Sequence, residues 1–203
     1  MCIVLENKGQ FIEGKSAVRS EGRPSCSPVL QALIFLSRAE ERTFQQEARN
    51  RQVSGFFLCV LTKICRQCRT LGSQCTTYTG DLSNPIEAEN IVMQTLSLYE
   101  HIDVLVNNAG ISHIGLMQSM SEQDWNHLLS VNLSAAFYLC KQVVPHMVQQ
   151  KQGKILNISS IWGEHGASCE VAYSAAKGGL NTFTKALAKE LAPCKVRVNC
   201  ISP

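Results

Sequence analysis

Long apolar runs are missing from this sequence, and their absence excludes a helical membrane protein. A spanning helix needs roughly 18 consecutive apolar residues. The longest stretch here, Phe56 to Leu61, is only of strand length. A basic start followed by an apolar stretch is missing too. Met1 to Gln10 carries Glu6 instead, so no secretory leader is expected and a cytoplasmic location is the default. Charge of one sign is scarce: the net charge of +3 is too weak to argue for nucleic acid or an acidic membrane surface as partner. Internal repeats and low-complexity tracts are absent, which excludes a repeat array. Glycine is absent between Arg23 and Ser54, so that stretch cannot supply a strand followed by a glycine-rich turn and a helix.

What is present suits one packed domain. The chain has 203 residues, of which 45 % are apolar and 17 % charged. Its ten cysteines are scattered, and without a leader they are expected to be reduced thiols. Cys65 and Cys68 have a spacing seen in zinc and redox sites. A structural zinc needs four ligands, however, and no second pair lies at a suitable distance, so no metal is expected.

The pattern changes quality near residue 70. Residues 1–70 form an atypical N-terminal region. Ser37 to Glu40 could cap a mostly polar helix reaching Asn50, and Val53 to Leu61 could be a strand, but little else is legible there. Residues 71–203 read clearly. Asn84-Pro85 marks a helix start, with apolar residues at helical spacing as far as Tyr99. Asp103 to Val106 reads as a strand that breaks at Asn107-Asn108-Ala109-Gly110. Ser121 to Asp124 fits a capping box, with Asp in the usual Glu place. A long helix is expected from Asn132 to Gln149, interrupted late by Pro145 and stopped by Gly153. Lys154 to Ser159 follows as a strand, Tyr173 to Glu190 as a helix and Val196 to Ile201 as a strand. Strands alternating with long helices predict an α/β fold: a doubly wound, Rossmann-like parallel sheet covered on both faces, in one domain. Such a sheet binds ligands beyond the carboxyl ends of its strands, where the polar clusters 107–110 and 158–160 fall.

The chemistry centres on Tyr173 and Lys177. Residues four apart on a helix share a face, which brings the lysine cation near the phenol. A neighbouring cation favours phenolate over phenol, and a phenol so tuned can exchange a proton with a carbonyl or alcohol oxygen. The pair alone is weak, since such spacing arises by chance on many helices. Ser160 ends a strand 13 residues earlier, within reach of the same oxygen. Asn132 reads as a helix cap or as a polar helix residue, Asn107 to Gly110 as a turn, and Asp81 as a cap.

Together, Asp81-Leu82, Asn107 to Gly110, Asn132, Ser160, Tyr173, Lys177 and Val198 to Pro203 resemble the short-chain dehydrogenase/reductase family in order and spacing, across about residues 70 to 203. The resemblance implies an NAD(P)-dependent oxidoreductase that reduces a ketone to an alcohol. Tyr173 would be the general acid/base and Lys177 would lower its pKa and hydrogen-bond the nicotinamide ribose. Ser160 would hold the substrate carbonyl, and Asn132 would support a water that relays protons to Lys177. Asp81 and Leu82 would border the adenine, while Asn108, Ala109 and Gly110 would line the cofactor cleft. Analogy favours NADP(H) over NAD(H). Family members are usually homodimers or homotetramers.

Two departures stand out. The family's glycine-rich TGxxxGxG turn, expected roughly 45 residues before Asp81, is replaced by Ile34 to Glu40, and the family continues beyond the equivalent of Pro203. The expectation is therefore a chain incomplete at both ends: a truncated or frameshifted family member that either retains turnover or only binds a nucleotide or partner. As for substrate, Lys185 to Ala192 and Asn107 to Ser112 resemble bacterial 3-oxoacyl-carrier-protein reductases. Ser159 to Glu170 resembles reductases acting on a 5-aminopentanone-modified lysine of elongation factor P. Both imply a ketone carried on another protein, with Trp162, Cys169 and Glu170 near the substrate mouth or simply packing the loop.

Overall fold

A computed structural model describes residues 2–7, 30–35 and 73–203. The helix at 37–50, the strand at 53–61 and the Cys65–Cys68 pair fall outside the described residues.

Six strands form one sheet: β1 (Cys2–Asn7), β2 (Leu30–Phe35), β3 (Ser73–Tyr78), β4 (Val104–Asn107), β5 (Gly153–Ile158) and β6 (Val196–Ile201). Their order is β3-β1-β2-β4-β5-β6. Strands β2, β4, β5 and β6 pair in parallel, in a register that sets Phe35 beside Asn107 and Asn107 beside Asn157. Strand β1 departs from the expected all-parallel sheet, since it runs antiparallel to both β2 and β3. A parallel neighbour must be reached through a crossover, usually helical, and residues 1–70 carry no clear pattern for one. Strands β1, β2 and β3 lie where no strand was expected. β3 is mostly polar, and its Thr76 hydroxyl shares a 2.7 Å hydrogen bond with the Tyr99 hydroxyl.

Among the described residues the helices are α1 (Pro85–Tyr99), α2 (Glu122–Leu129), α3 (Ala135–Gln150), α4 (Trp162–His165) and α5 (Val171–Leu191). The links β3 to β4, β4 to β5 and β5 to β6 all advance across the sheet in one sense. Right-handed crossovers then carry α1, α3 and α5 onto the same face. Among the described residues, the helices therefore cover one face rather than two. Ala88, Ile91 and Val92 of α1 pack with Leu139, Val143 and Met147 of α3 over Leu105 and Ile155 of the sheet. On the opposite face Lys154, Arg197 and Asn199 are exposed.

Local signals explain most boundaries. The Asn84 carboxamide accepts from the Ile86 N–H at 3.0 Å, and Pro85 occupies the first turn of α1. Removing that acceptor should cost about 1 kcal/mol. Asn84→Ala should therefore lower the urea midpoint with an unchanged m-value. The expected capping box at Ser121 forms, but the shorter Asp124 carboxylate takes its bond from the Ser121 hydroxyl at 2.6 Å. Helix α3 ends at Gln150, within one residue of the expected end. Lys151 adopts a left-handed conformation, φ 52°, and closes the helix on Met147, while Gly153 opens β5 because a Cβ there would collide with Met147. Pro145 lies inside α3 without ending it. Cys140, Cys169, Cys194 and Cys200 are free thiols, whereas Cys75, buried on β3, is disulfide-bonded, contrary to expectation.

Beyond β2 the chain moves to β3 on one side of the sheet, and beyond β4 it moves to β5 on the other. The carboxyl ends of β2 and β4 therefore flank a topological switch point, the place where open α/β sheets bind ligands.

Candidate active site

Helix α5 presents Tyr173 and Lys177 one turn apart. Lys177 is only 4 % exposed, unusual for a lysine. Its ammonium donates to the Ile158 carbonyl at the end of β5, 2.8 Å away, and stands 5.6 Å from the centre of the Tyr173 ring. Burial lowers the Lys177 pKa from 10.5 to about 8, with Cys200 acting in the opposite direction. A buried amine with spare N–H groups beside a phenol is a proton-handling arrangement.

Asn132 is not a helix cap but a polar residue inside a continuous helical run. The chain runs from α2 into α3 through a π-helical turn, Ser130–Ser134, that contains it. Such a turn inserts a residue and re-aims the side chains around it, often at functional sites. The Asn132 amide, 2 % exposed, donates to the carbonyls of Ile111 at 2.8 Å and Leu128 at 3.0 Å and accepts from the Ile111 N–H at 3.2 Å. It therefore clamps the backbone just past β4. Gly110 lies between the two groups: a Cβ there would sit 2.6 Å from Asn132 Oδ1 and 3.5 Å from Lys177 Nζ. Asn132, Gly110, Lys177 and Tyr173 thus form one contiguous cluster at the ends of β4 and β5.

The other expected residues fall around this cluster. Ser160 follows β5, half-buried, and accepts from the Trp162 N–H at 3.3 Å. Leu82 and Ala109 line a small cavity together with Asn107 and Asn132. Asn108 is half-buried beside them. Asp81 is exposed and not a helix cap. Its carboxylate accepts from the Ser83 hydroxyl at 2.7 Å and the Ser83 N–H at 2.9 Å, and the hydroxyl bond in particular lowers its pKa. Its own N–H donates to the Glu87 carboxylate. At the mouth, Trp162 is partly exposed, Glu170 immediately precedes α5, and Cys169 has φ 64°. The Cys169 carbonyl accepts from the Gly115 N–H at 2.9 Å, which joins the two loops. Beside them Met117, Met120, Trp125 and Val171, together with Ser121, Glu122 and Asn126, line an open groove of about 410 Å³.

Sequence reasoning missed a buried polar chain. The Asn107 amide donates to Asn157 at 2.8 Å, Asn157 donates to the Thr184 hydroxyl at 2.8 Å, and Thr184 donates to the Leu180 carbonyl at 2.7 Å. The available signal was strand parity: Asn107 and Asn157 stand two residues after Leu105 and Ile155 and so share their inward face. Asn107 Oδ1 is buried and has no partner.

The described residues fit the nicotinamide half of a dinucleotide. Lys177 offers ammonium N–H groups beyond the one given to Ile158, and Gly110 lets Asn132 and Lys177 close in where a Cβ would collide with Asn132 Oδ1. The stretch aligned with the missing glycine-rich turn runs past Phe35 and falls outside the described residues.

A buried amine beside a tyrosine, near the switch point of an α/β sheet, is an arrangement suited to nucleotide-dependent oxidoreduction. The chain belongs to the short-chain dehydrogenase family, whose model matches residues 59–203. A 3-oxoacyl-(acyl-carrier-protein) reductase of Chlamydia pneumoniae is 40 % identical over 133 residues, covering 66 % of this chain and 54 % of that protein. An uncharacterized oxidoreductase of Bacillus subtilis is 43 % identical over 124 residues, covering 61 % of this chain and 50 % of that one. In solved structures, a metagenomic short-chain oxidoreductase in complex with NADP matches with a TM-score of 0.68 at 33 % identity, covering 70 % of this chain and 65 % of that one. The chain spans about half the length of the curated relatives it matches. Among the described residues no helix is long and apolar enough to cross a membrane.

Proposed function

We propose that this chain carries the catalytic core of an NADPH-dependent reductase, with residues 71–203 as its functional unit and a 3-oxoacyl or protein-linked ketone as substrate. The observation that carries this reading is the near-complete burial of Lys177 beside Tyr173, with Gly110 and Asn132 closing the cluster. A buried ammonium costs stability, which makes a role in chemistry the better account of it.

In this reading Tyr173 gives its phenolic proton to the substrate carbonyl oxygen, and the Ser160 hydroxyl holds that oxygen by a hydrogen bond. Lys177 keeps a positive charge against the tyrosine ring and offers its remaining N–H groups to the ribose. Asn132, which holds the Ile111 backbone, supports a water that resupplies protons to Lys177. Leu82, Asn108, Ala109 and Gly110 line the cofactor cleft, with Asp81 at its adenine end. The nicotinamide, when bound, supplies the hydride. The groove lined by Met117, Met120, Trp125 and Val171 supports an apolar substrate arm. Carrier-protein linkage and the preference for NADPH over NADH rest on the relatives named above.

A second reading, nucleotide binding without turnover, is favoured by the missing glycine-rich turn. Calorimetry with NADPH and NADH, followed by a 3-oxoacyl thioester assay, separates the two. Micromolar NADPH binding with turnover is expected. Binding without turnover would replace the first reading with the second, and a folded chain that binds neither nucleotide would overturn both.

A further inference from the structure

We propose that Ser159 and Gly163 form a seat for the backbone carbonyl of Lys177 and act as positioning residues for its amine. This rests on the reading of Lys177 as a cleft residue, and it concerns two residues not yet given any role.

Ser159 is 4 % exposed. Its backbone N–H is fixed to the sheet through the Ile201 carbonyl at 2.7 Å. Its hydroxyl donates to the Lys177 carbonyl at 3.0 Å. A carbonyl inside a helix already receives a bond from within the helix, and the serine uses its second lone pair. Helix formation does not require that second bond; it ties α5 to β5 at one chosen residue. Gly163 closes the seat from the other side. A Cβ on Gly163 would lie 2.7 Å from the Lys177 carbonyl carbon, 2.9 Å from its oxygen and 3.0 Å from the Gly178 nitrogen. These are backbone atoms and cannot swing aside. Gly178 reciprocates, since a Cβ there would lie 3.1 Å from the Gly163 oxygen.

The consequence lies at the amine. Lys177 is tied at both ends to consecutive residues of one strand end: its Nζ to the Ile158 carbonyl at 2.8 Å and its own carbonyl to Ser159 at 3.0 Å. A small slide of α5 along β5 would strain both bonds. Among the described residues, the titratable neighbours facing the amine are Tyr173 on α5 and Cys200 on β6.

The test reads Lys177 directly. The full chain is treated with acetic anhydride across a pH series, and acetylation of Lys177 is quantified by mass spectrometry. The profile midpoint reports the amine's ionisation and not its absolute accessibility. A midpoint near 8 is expected for the unaltered chain. Ser159→Ala and Gly163→Ala should each raise it by about half a unit or more, as water reaches the amine. Ser159→Thr, which keeps the hydroxyl, should stay close to the unaltered value. Midpoints unchanged in both alanine variants, with only a lower Tm, would reduce the two residues to packing and overturn the proposal. Gly163→Ala carries the decision alone should Ser159→Ala fail to fold. Labelling needs no cofactor, so a chain that shows these shifts but binds no NADPH would refute the functional reading and leave the seat standing.

Discussion

Replacing Tyr173 by Phe should cut ketone reduction by roughly 10²- to 10⁴-fold, the usual contribution of a positioned general acid, and leave NADPH affinity within about twofold. The physical argument separates the two effects. Tyr173 is half-buried and packs against the cluster of Leu128, Ala172 and Ala176. Phenylalanine keeps that ring and its contacts, and with them the face that Lys177 Nζ approaches at 5.6 Å. Only the hydroxyl is lost, so only proton transfer should suffer. Single-turnover rates with saturating NADPH would check this. A variant that reduces the ketone at the original rate would remove Tyr173 from the mechanism. A variant that loses nucleotide binding as well would show that the hydroxyl organises the cleft.

Lys177→Met should lose activity to a similar degree and yet make the protein more stable at neutral pH. Folding depresses the amine's pKa from 10.5 to about 8, chiefly through burial. The folded state therefore holds its proton less tightly than the unfolded state. Below pH 8 both states carry the proton and the burial penalty is present in full, worth roughly 3 kcal/mol by linkage. Between pH 8 and 10.5 the unfolded chain binds more protons, so stability should rise with pH across that window. Methionine keeps the length of the side chain and removes the charge. It also removes the donor to the Ile158 carbonyl, which offsets about 1 kcal/mol. The net expectation at pH 7 is a gain of about 2 kcal/mol, a Tm rise of roughly 5 °C, and a flatter stability profile between pH 8 and 10. A lower Tm would mean that the bond to Ile158 outweighs the cost of burial.

Much of the C-terminal two-thirds was legible because its signals are local. Asn84-Pro85 starts α1 where a side-chain acceptor and a preset φ predict it, and Val196 to Ile201 is the last strand as read. The parts that were not legible depend on partners distant in sequence. β3 is polar and shows no alternation, and it becomes a strand through pairing with β1. The π-helical turn at Ser130–Ser134 has no composition of its own and leaves Asn132 looking like an ordinary helix-start residue. The antiparallel course of β1 and the disulfide at Cys75 likewise have no local signature.

By itself, the sequence determined the chemical inventory: a tyrosine and lysine four apart on a helix, a serine after a strand, and an asparagine-glycine break after another. Spacing along a helix or strand settles which residues share a face, so this much needs no tertiary information. Only the tertiary structure decided that Lys177 is buried, that Gly110 and Asn132 stand against it, and that Ser159 holds its carbonyl. Those relations join β4, β5, the π-helical turn and α5, elements separated by tens of residues. Desolvation, which lowers the lysine's pKa, arises only when these elements pack together.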